Sequence, residues 1–215
     1  MAMKVQALTV GPFESNCYLY WNEQTSRGVV IDPGDDAPRI LRAIERAAFQ
    51  PEAILITHGH CDHIAAVSEV KATFDIPILI GRGEEQMLTS ADLNLSSAIG
   101  DPVTAPPADR LLDDEELVVF SCCALRVLFT PGHSPAEICF LDEREGKLFC
   151  GDVLFYGSIG RSDFPGSSHD LLIHSIESKI LTLPDGIICY PGHGPQTTVG
   201  AERVNNPFLS GGNFA

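Results

Sequence analysis

Residues 57–63 read Thr57-His58-Gly59-His60-Cys61-Asp62-His63. Three of the chain's seven histidines and a carboxylate fall within six positions. Imidazole and carboxylate are the ligands that zinc, iron and manganese accept at neutral pH. The run Ala53–Ile56 before them reads as a short buried strand that delivers the chain to His58. Gly59 argues against a helix at this point, and residues two apart in an extended segment face the same side. His58 and His60 are therefore expected on one side. His63 follows as a helix begins, and Asp62 lies near the helix N-terminus, where the helix dipole favours a carboxylate. The loop is expected to project ligands in two directions, His58 and His60 toward one metal and Asp62 and His63 toward a neighbour.

Outward from this loop, short apolar runs alternate with turns. Val5–Val10, Cys17–Trp21 and Gly28–Ile31 read as strands, the last ended by Asp32-Pro33-Gly34. Helical spacing appears in Arg39–Ala48 and again in Ile64–Phe74, with Val67, Val70 and Phe74 inward. Ile76–Ile80 reads as a strand, and Glu84–Met87 begins a helix. Residues 100–116, with Pro102, Pro106, Pro107 and the acidic run Asp113–Glu116, read as a loop joining two halves. Leu117–Phe120, Leu125–Phe129, Ile138–Leu141 and Leu148–Cys150 then read as strands, with Asp142–Gly146 as a hairpin turn. Leu171–Leu181 reads as an amphipathic helix and Ile187–Tyr190 as a last strand. Each half runs strands then helix, which predicts two sheets packed face to face with helices outside.

Three further residues share one context. His133 in Thr130-Pro131-Gly132-His133-Ser134, Asp152 in Cys150-Gly151-Asp152 and His193 in Pro191-Gly192-His193-Gly194 each follow a strand and a glycine. A site at one edge of a sheet sandwich needs this, since glycine permits the tight turns that bring backbone close to a metal. His169 and His174 lack the context and are read as structural or surface groups. Asp32 is either an acceptor behind a ligand imidazole or a plain turn residue. Cys61 is read as a spectator, prone to oxidation if metal lies close. Arg161, in a Gly-rich loop after Asp152, either clamps a substrate carboxylate or pairs with Asp163.

Taken in order, HxHxDH, PGHS, GD and PGHG resemble the metallo-β-lactamase superfamily, and within it the glyoxalase II-like hydrolases of the short bacterial type. Val30-Ile31-Asp32-Pro33-Gly34, Gly157–Gly166 and Glu202–Leu209 match as well, so the resemblance covers essentially the whole chain. It implies an α/β fold, an αββα four-layer sandwich of two mixed sheets flanked by helices, and one domain over residues 1–215 without a separate C-terminal glutathione-binding helical domain. It implies one or two divalent ions per chain, zinc first with iron or manganese as alternatives. His58, His60 and His133 hold one, Asp62, His63 and His193 the other, and Asp152 bridges them. Asp62 and Asp152 are the catalytic carboxylates of this reading. Two cations roughly 3.5–4 Å apart hold a hydroxide that attacks an acyl carbon. A thiolate leaving group needs little protonation, so a thioester is the expected substrate class. S-D-lactoylglutathione leads, giving D-lactate and glutathione, with Arg161 as a substrate contact. Rival readings are an iron-dependent persulfide dioxygenase using His58, His133 and Asp152, a lactonase or phosphodiesterase, and a member that binds without turnover.

Composition limits the partners. The net charge of −15 repels phosphate backbones, so no nucleic acid is expected. No apolar run approaches the ~20 residues of a membrane span, and the N-terminus lacks an export signal, so a cytoplasmic location is expected. The seven cysteines are then reduced thiols. Cys17, Cys139, Cys150 and Cys189 lie in strand-like runs and are expected to be buried. No CxxC occurs, the adjacent Cys122 and Cys123 lack metal-ligand spacing, and no GxSxG offers a serine nucleophile. The expected partner is a small thioester; nothing in the sequence sets the oligomeric state.

Overall fold

A computed structural model describes residues 3–209. Its first half builds strands β1 (Met3–Val10), β2 (Ser15–Asn22) and β3 (Arg27–Ile31), then helix α1 (Ala37–Ala47) and β4 (Gln50–Ile56). Helices α2 (Cys61–Ile64) and α3 (Val67–Phe74), strand β5 (Ile78–Gly81), helices α4 (Glu85–Thr89) and α5 (Ser96–Ile99), and β6 (Arg110–Leu112) follow. The second half contains β7 (Leu117–Val119), β8 (Ala124–Phe129), β9 (Ile138–Asp142), β10 (Lys147–Gly151), a two-stranded ribbon of β11 (Leu154–Phe155) and β12 (Ser158–Ile159), and α6 (His169–Ser175). Strands β13 (Ile188–Pro191) and β14 (Thr197–Thr198) and helix α7 (Val199–Asn205) complete it. One sheet has the order β1-β2-β3-β4-β5-β6, the other β14-β13-β10-β9-β8-β7. Both are mixed: β3, β4, β5 and β6 pair in parallel, as do β10 and β13, and the other neighbours pair antiparallel.

Alternation along the strands builds the layers. In β3, Val29 and Ile31 face the second sheet while Val30 faces the helices. In β9, Ile138 and Phe140 enter the space between the sheets, and Cys139 and Leu141 face away from it. The central core joins Tyr18, Tyr20 and Leu55 to Leu125, Val127 and Phe149. One outer core packs α1 and α3 through Ile40, Ile44, Val67 and Val70, and the other packs α6 through Leu172. Where both faces of a sheet are covered, as at β3, β5 and β9, the strands read as continuous apolar runs. Cys17, Cys139, Cys150 and Cys189 are fully buried within them. The αββα four-layer expectation is met.

Three expectations need correction. The helix expected over Ile64–Phe74 is broken between α2 and α3. The amides of Ala65 and Ala66 leave the helix to bond Gly34 O (3.1 Å) and Pro33 O (3.0 Å), which ties the ligand loop to the Asp32-Pro33-Gly34 turn. Residues 100–116 are not all loop: Arg110–Leu112 pairs with β5 as the sheet edge. The helix expected at Leu171–Leu181 begins at His169, capped by the Ser168 hydroxyl, and widens into a π turn over Ile176–Ile180, where Leu181 N bonds Ile176 O. Among the described residues, no helix is long and apolar enough to cross a membrane.

Candidate metal centre

Four strand ends converge at one edge of the sandwich. His58 and His60 follow β4 and lead into α2, which carries Asp62 and His63. His133 follows β8, Asp152 follows β10 and His193 follows β13. All seven sequence-predicted residues meet there. Their donor atoms form three groups, each within 4.8 Å: His58, His60 and His133; His58, His63 and Asp152; and Asp62, His63 and His193. His60 Nδ1 lies 2.9 Å from His133 Nε2. Asp152 stands between the groups, with Oδ1 3.5 Å from His63 Nε2 and Oδ2 3.5 Å from both His133 Nε2 and His193 Nε2. Asp62 Oδ2 lies 3.1 Å from His193 Nε2.

The donor set fits divalent cations. His58 Nε2, His63 Nε2 and Asp152 Oδ1 are buried polar atoms without a hydrogen-bond partner. Such atoms cost on the order of 1–3 kcal/mol each unless something fills them. The outer nitrogens of the same rings are engaged. His58 Nδ1 lies 3.3 Å from Glu137 Oε1 and 3.2 Å from Thr57 Oγ1. His63 Nδ1 lies 3.2 Å from Asp32 Oδ2, and His133 Nδ1 lies 2.8 Å from the carbonyl oxygen of Arg161. An acceptor behind each ring fixes its orientation and turns the free nitrogen inward, the arrangement that tunes metal-ligating histidine.

Electrostatics divides the cluster along the line seen in the sequence. Burial, reinforced by the neighbouring imidazoles, holds His58 well below the usual histidine range, and burial beside His133 holds His60 down at about 3. These rings present neutral lone pairs. Burial works in the same direction on His63 and His193, but the Asp62 and Asp152 carboxylates outweigh it. His63 is held well above its usual range and His193 is raised to about 10. Burial likewise works to raise Asp152, but His63 and His193 outweigh it and hold its carboxyl well below the ordinary range. This half is built to enclose positive charge.

The remaining candidates separate. Asp32 is the acceptor behind His63, and it also takes the Thr57 amide (2.8 Å) and hydroxyl (2.7 Å). Arg161 pairs bidentately with Asp163 at 3.0 and 2.9 Å, the second of its two expected surroundings, and also lines the cleft over the cluster. His169 and His174 are exposed and outside the three groups. Cys61 is buried, its thiol pushed up by that burial, and belongs to none of the groups.

Sequence reasoning missed the residues that staple the loops together. Asn16 on β2 donates from Nδ2 to Pro191 O (3.1 Å) and Gly194 O (2.9 Å), and Tyr18 OH donates to Pro191 O (2.6 Å). Ser15 Oγ donates to Asp62 O (2.6 Å). Glu137 accepts from Asp152 N (2.7 Å) as well as standing behind His58. Glu84, fully buried, accepts from Gly59 N (3.0 Å), Ser134 Oγ (2.8 Å) and Ala136 N (2.7 Å), joining the His58–His63 loop to the His133 loop. The one signal for Glu137 is a carboxylate set directly before the apolar run Ile138–Leu141, since acids are almost never buried unpaired. Glu84→Ala should leave two buried donors and the half-buried Ala136 amide without their acceptor. The expected loss is on the order of 3–5 kcal/mol, read as a melting temperature lower by roughly 10 °C. Glu84→Gln, which keeps one acceptor oxygen, should fall between; an unchanged melting temperature in Glu84→Ala would remove the stapling role.

Comparison with known proteins agrees with this geometry. The sequence model of the Metallo-beta-lactamase superfamily matches residues 10–193. The chain is 39% identical over 210 residues to probable metallo-hydrolase YqgX of Bacillus subtilis, covering 97% of this chain and 99% of that one. It is 36% identical over 210 residues to hydroxyacylglutathione hydrolase GloC of Haemophilus influenzae, with the same coverage of 97% and 99%. Among solved structures it resembles BLEG-1 B3 metallo-beta-lactamase (TM-score 0.94, 42% identity, 97% of this chain and all of that one). It also resembles TTHA1623 in a di-iron-bound form (TM-score 0.85, 36% identity, 95% of this chain and all of that one). With the fold, the convergent His/Asp cluster and these full-length matches together, the chain belongs to the metallo-beta-lactamase superfamily and is a metallo-hydrolase of it.

Proposed function

We propose that this metallo-hydrolase cleaves acyl thioesters, with S-D-lactoylglutathione as leading substrate and D-lactate and glutathione as products. The observation that carries the reading is the pairing of a three-histidine group with a carboxylate-rich group on either side of Asp152. The near full-length likeness to a hydroxyacylglutathione hydrolase supports it. In this reading His58, His60 and His133 would hold one divalent ion, Asp62, His63 and His193 a second, and Asp152 both; zinc is the first candidate and iron or manganese the alternatives. When bound, such ions supply Lewis acidity that lowers the pKa of a water and polarises an acyl carbonyl.

The chain's own residues do the rest. Asp32, Glu137 and the Arg161 carbonyl hold three imidazoles in fixed orientation, so the ligand nitrogens need no rearrangement on substrate entry. Asn16, Tyr18 and Ser15 hold the His193 loop and α2 in register with each other. Phe155 and Phe164 line the cleft above the cluster and exclude water from its sides. The sulfur leaves as a thiolate, which asks little of a general acid.

Purified protein reconstituted with zinc, iron or manganese should release free thiol from S-D-lactoylglutathione. Chelation should stop it and the same metal restore it. Absence of thiol release with all three metals ends the thioester reading. Oxygen uptake with glutathione persulfide, or turnover of a lactone or β-lactam alone, would assign the centre to those chemistries instead.

A further inference from the structure

The cleft over the cluster encloses about 350 Å³, enough for a small ligand. Its floor is polar, formed by His60, Asp62, His133, Asp152 and His193. Its walls are not: Phe13, Leu95, Ile99, Phe155 and Phe164 line them. Two of these rings bracket the cluster. Phe164 stands edge-on to His60 and His133, with centroids 5.4 and 5.8 Å apart, and Phe155 stands edge-on to His193 at 6.1 Å. At the rim, Phe13 and Ile99 are 49% and 53% exposed. Large apolar side chains are thus left half in water around a polar floor, and that surface gains only if a ligand covers it.

Charge points the same way. Among the described residues, Arg161 is the one Lys or Arg in the lining. Its guanidinium is already paired with Asp163 and lies 4.3 Å over the Phe164 ring. Among its described lining residues the cleft therefore offers a substrate carboxylate no unpaired Lys or Arg, in a chain of net charge −15.

We infer that the acyl group this cleft selects is apolar, and best aromatic, packed between Phe155 and Phe164 with its carbonyl carbon over the cluster, while the carboxylates of the thiol portion remain in solvent. The inference rests on the thioester reading above and deepens it: the walls admit lactoyl but offer apolar surface that its methyl group leaves uncovered. In the reaction, water adds to the acyl carbon, the carbon–sulfur bond breaks, and the products are a carboxylate, a thiol and one proton. Wall burial favours an aryl acyl group through contacts that a methyl group cannot make.

The test compares S-D-mandeloylglutathione with S-D-lactoylglutathione on the metal-loaded enzyme. The two share the thiol and the 2-hydroxyl and differ in a phenyl against a methyl group. kcat/KM should favour the mandeloyl ester by roughly tenfold, which partial burial of one phenyl ring supplies. Phe164→Ala should bring the ratio to within about twofold. Phe13→Ser, at an exposed rim position with little to disturb in the fold, should narrow it by a smaller factor. A wild-type ratio near one, or a ratio unchanged in both variants, overturns the inference and leaves the thioester reading standing. Hydrolysis of neither ester overturns both.

Discussion

His58→Ala is expected to strip metal from the three-histidine side of the centre and to loosen its hold on the rest. His58 belongs to two of the three donor groups, joining His60 and His133 on one side and His63 and Asp152 on the other. Among the described residues His63 is the other member of two groups, and Asp152 reaches His63, His133 and His193. Its Nε2 is a buried, unpartnered atom, and its Nδ1 is held by Glu137 and Thr57. Removing the ring deletes a ligand and also frees Glu137, whose carboxyl burial already pushes well above the ordinary range. Elemental analysis should find less than half of the wild-type metal content. Thiol release should fall by more than about a hundredfold, beyond the usual cost of losing an outer-shell partner. His193→Ala makes the contrast. His193 sits in one group, and its side chain is 29% exposed. That variant should lose less metal than His58→Ala. Equal metal content in His58→Ala and wild type would break the ligand scheme.

The unequal legibility of the site has a physical cause. The candidate ligands were readable because metal chemistry restricts such residues to few types, and because the tight turns that present them leave glycine at Gly59, Gly132, Gly151 and Gly192. The layers were readable for a similar reason: a strand covered on both faces must be apolar throughout, as Val29-Val30-Ile31 and Ile138–Leu141 are. What lay hidden was set by partners distant in sequence. Asn16 looks like any strand-end polar residue until β13 arrives 175 residues later to take its side-chain bond. Glu84 gave a helix start by local pattern, while its actual task is to receive amides from two other loops. The break between α2 and α3 is likewise invisible locally, since it is the carbonyls of Pro33 and Gly34 that draw the amides out of the helix. Arg161 stayed open between two readings because pairing with Asp163 is local and cleft lining is not.

Gly192→Ala carries the second large effect, and it tests geometry rather than ligand chemistry. Gly192 lies outside the left-handed backbone region, so an alanine there meets no torsional objection. The obstacle is contact. A Cβ at this position would fall on Asp152 Oδ1 and within 2.7 Å of His63 Cε1. Neither neighbour can retreat freely. Asp152 is anchored through its amide to Glu137 Oε1, and the His63 ring is held from behind by Asp32. The Gly192 loop is itself clamped, with Gly192 O accepting the Asn16 amide at 2.6 Å and Gly192 N donating to Gly151 O at 2.6 Å. One methyl group therefore displaces two donors from the middle of the cluster. Misplacing a reacting geometry by about 1 Å costs on the order of a hundredfold in rate, and the metal should be lost or bound loosely as well. The layers are built elsewhere, so the melting temperature should fall by only a few degrees, the scale of a typical overpacking cost of ~1–3 kcal/mol. Gly194→Ala is the matched control: its Cβ would meet no heavy atom within 4 Å, although its φ of +72° adds backbone strain. It should cost stability and leave metal content near wild type. If Gly192→Ala retains full metal and full rate, Asp152 and His63 are not held where the hydrogen bonds place them.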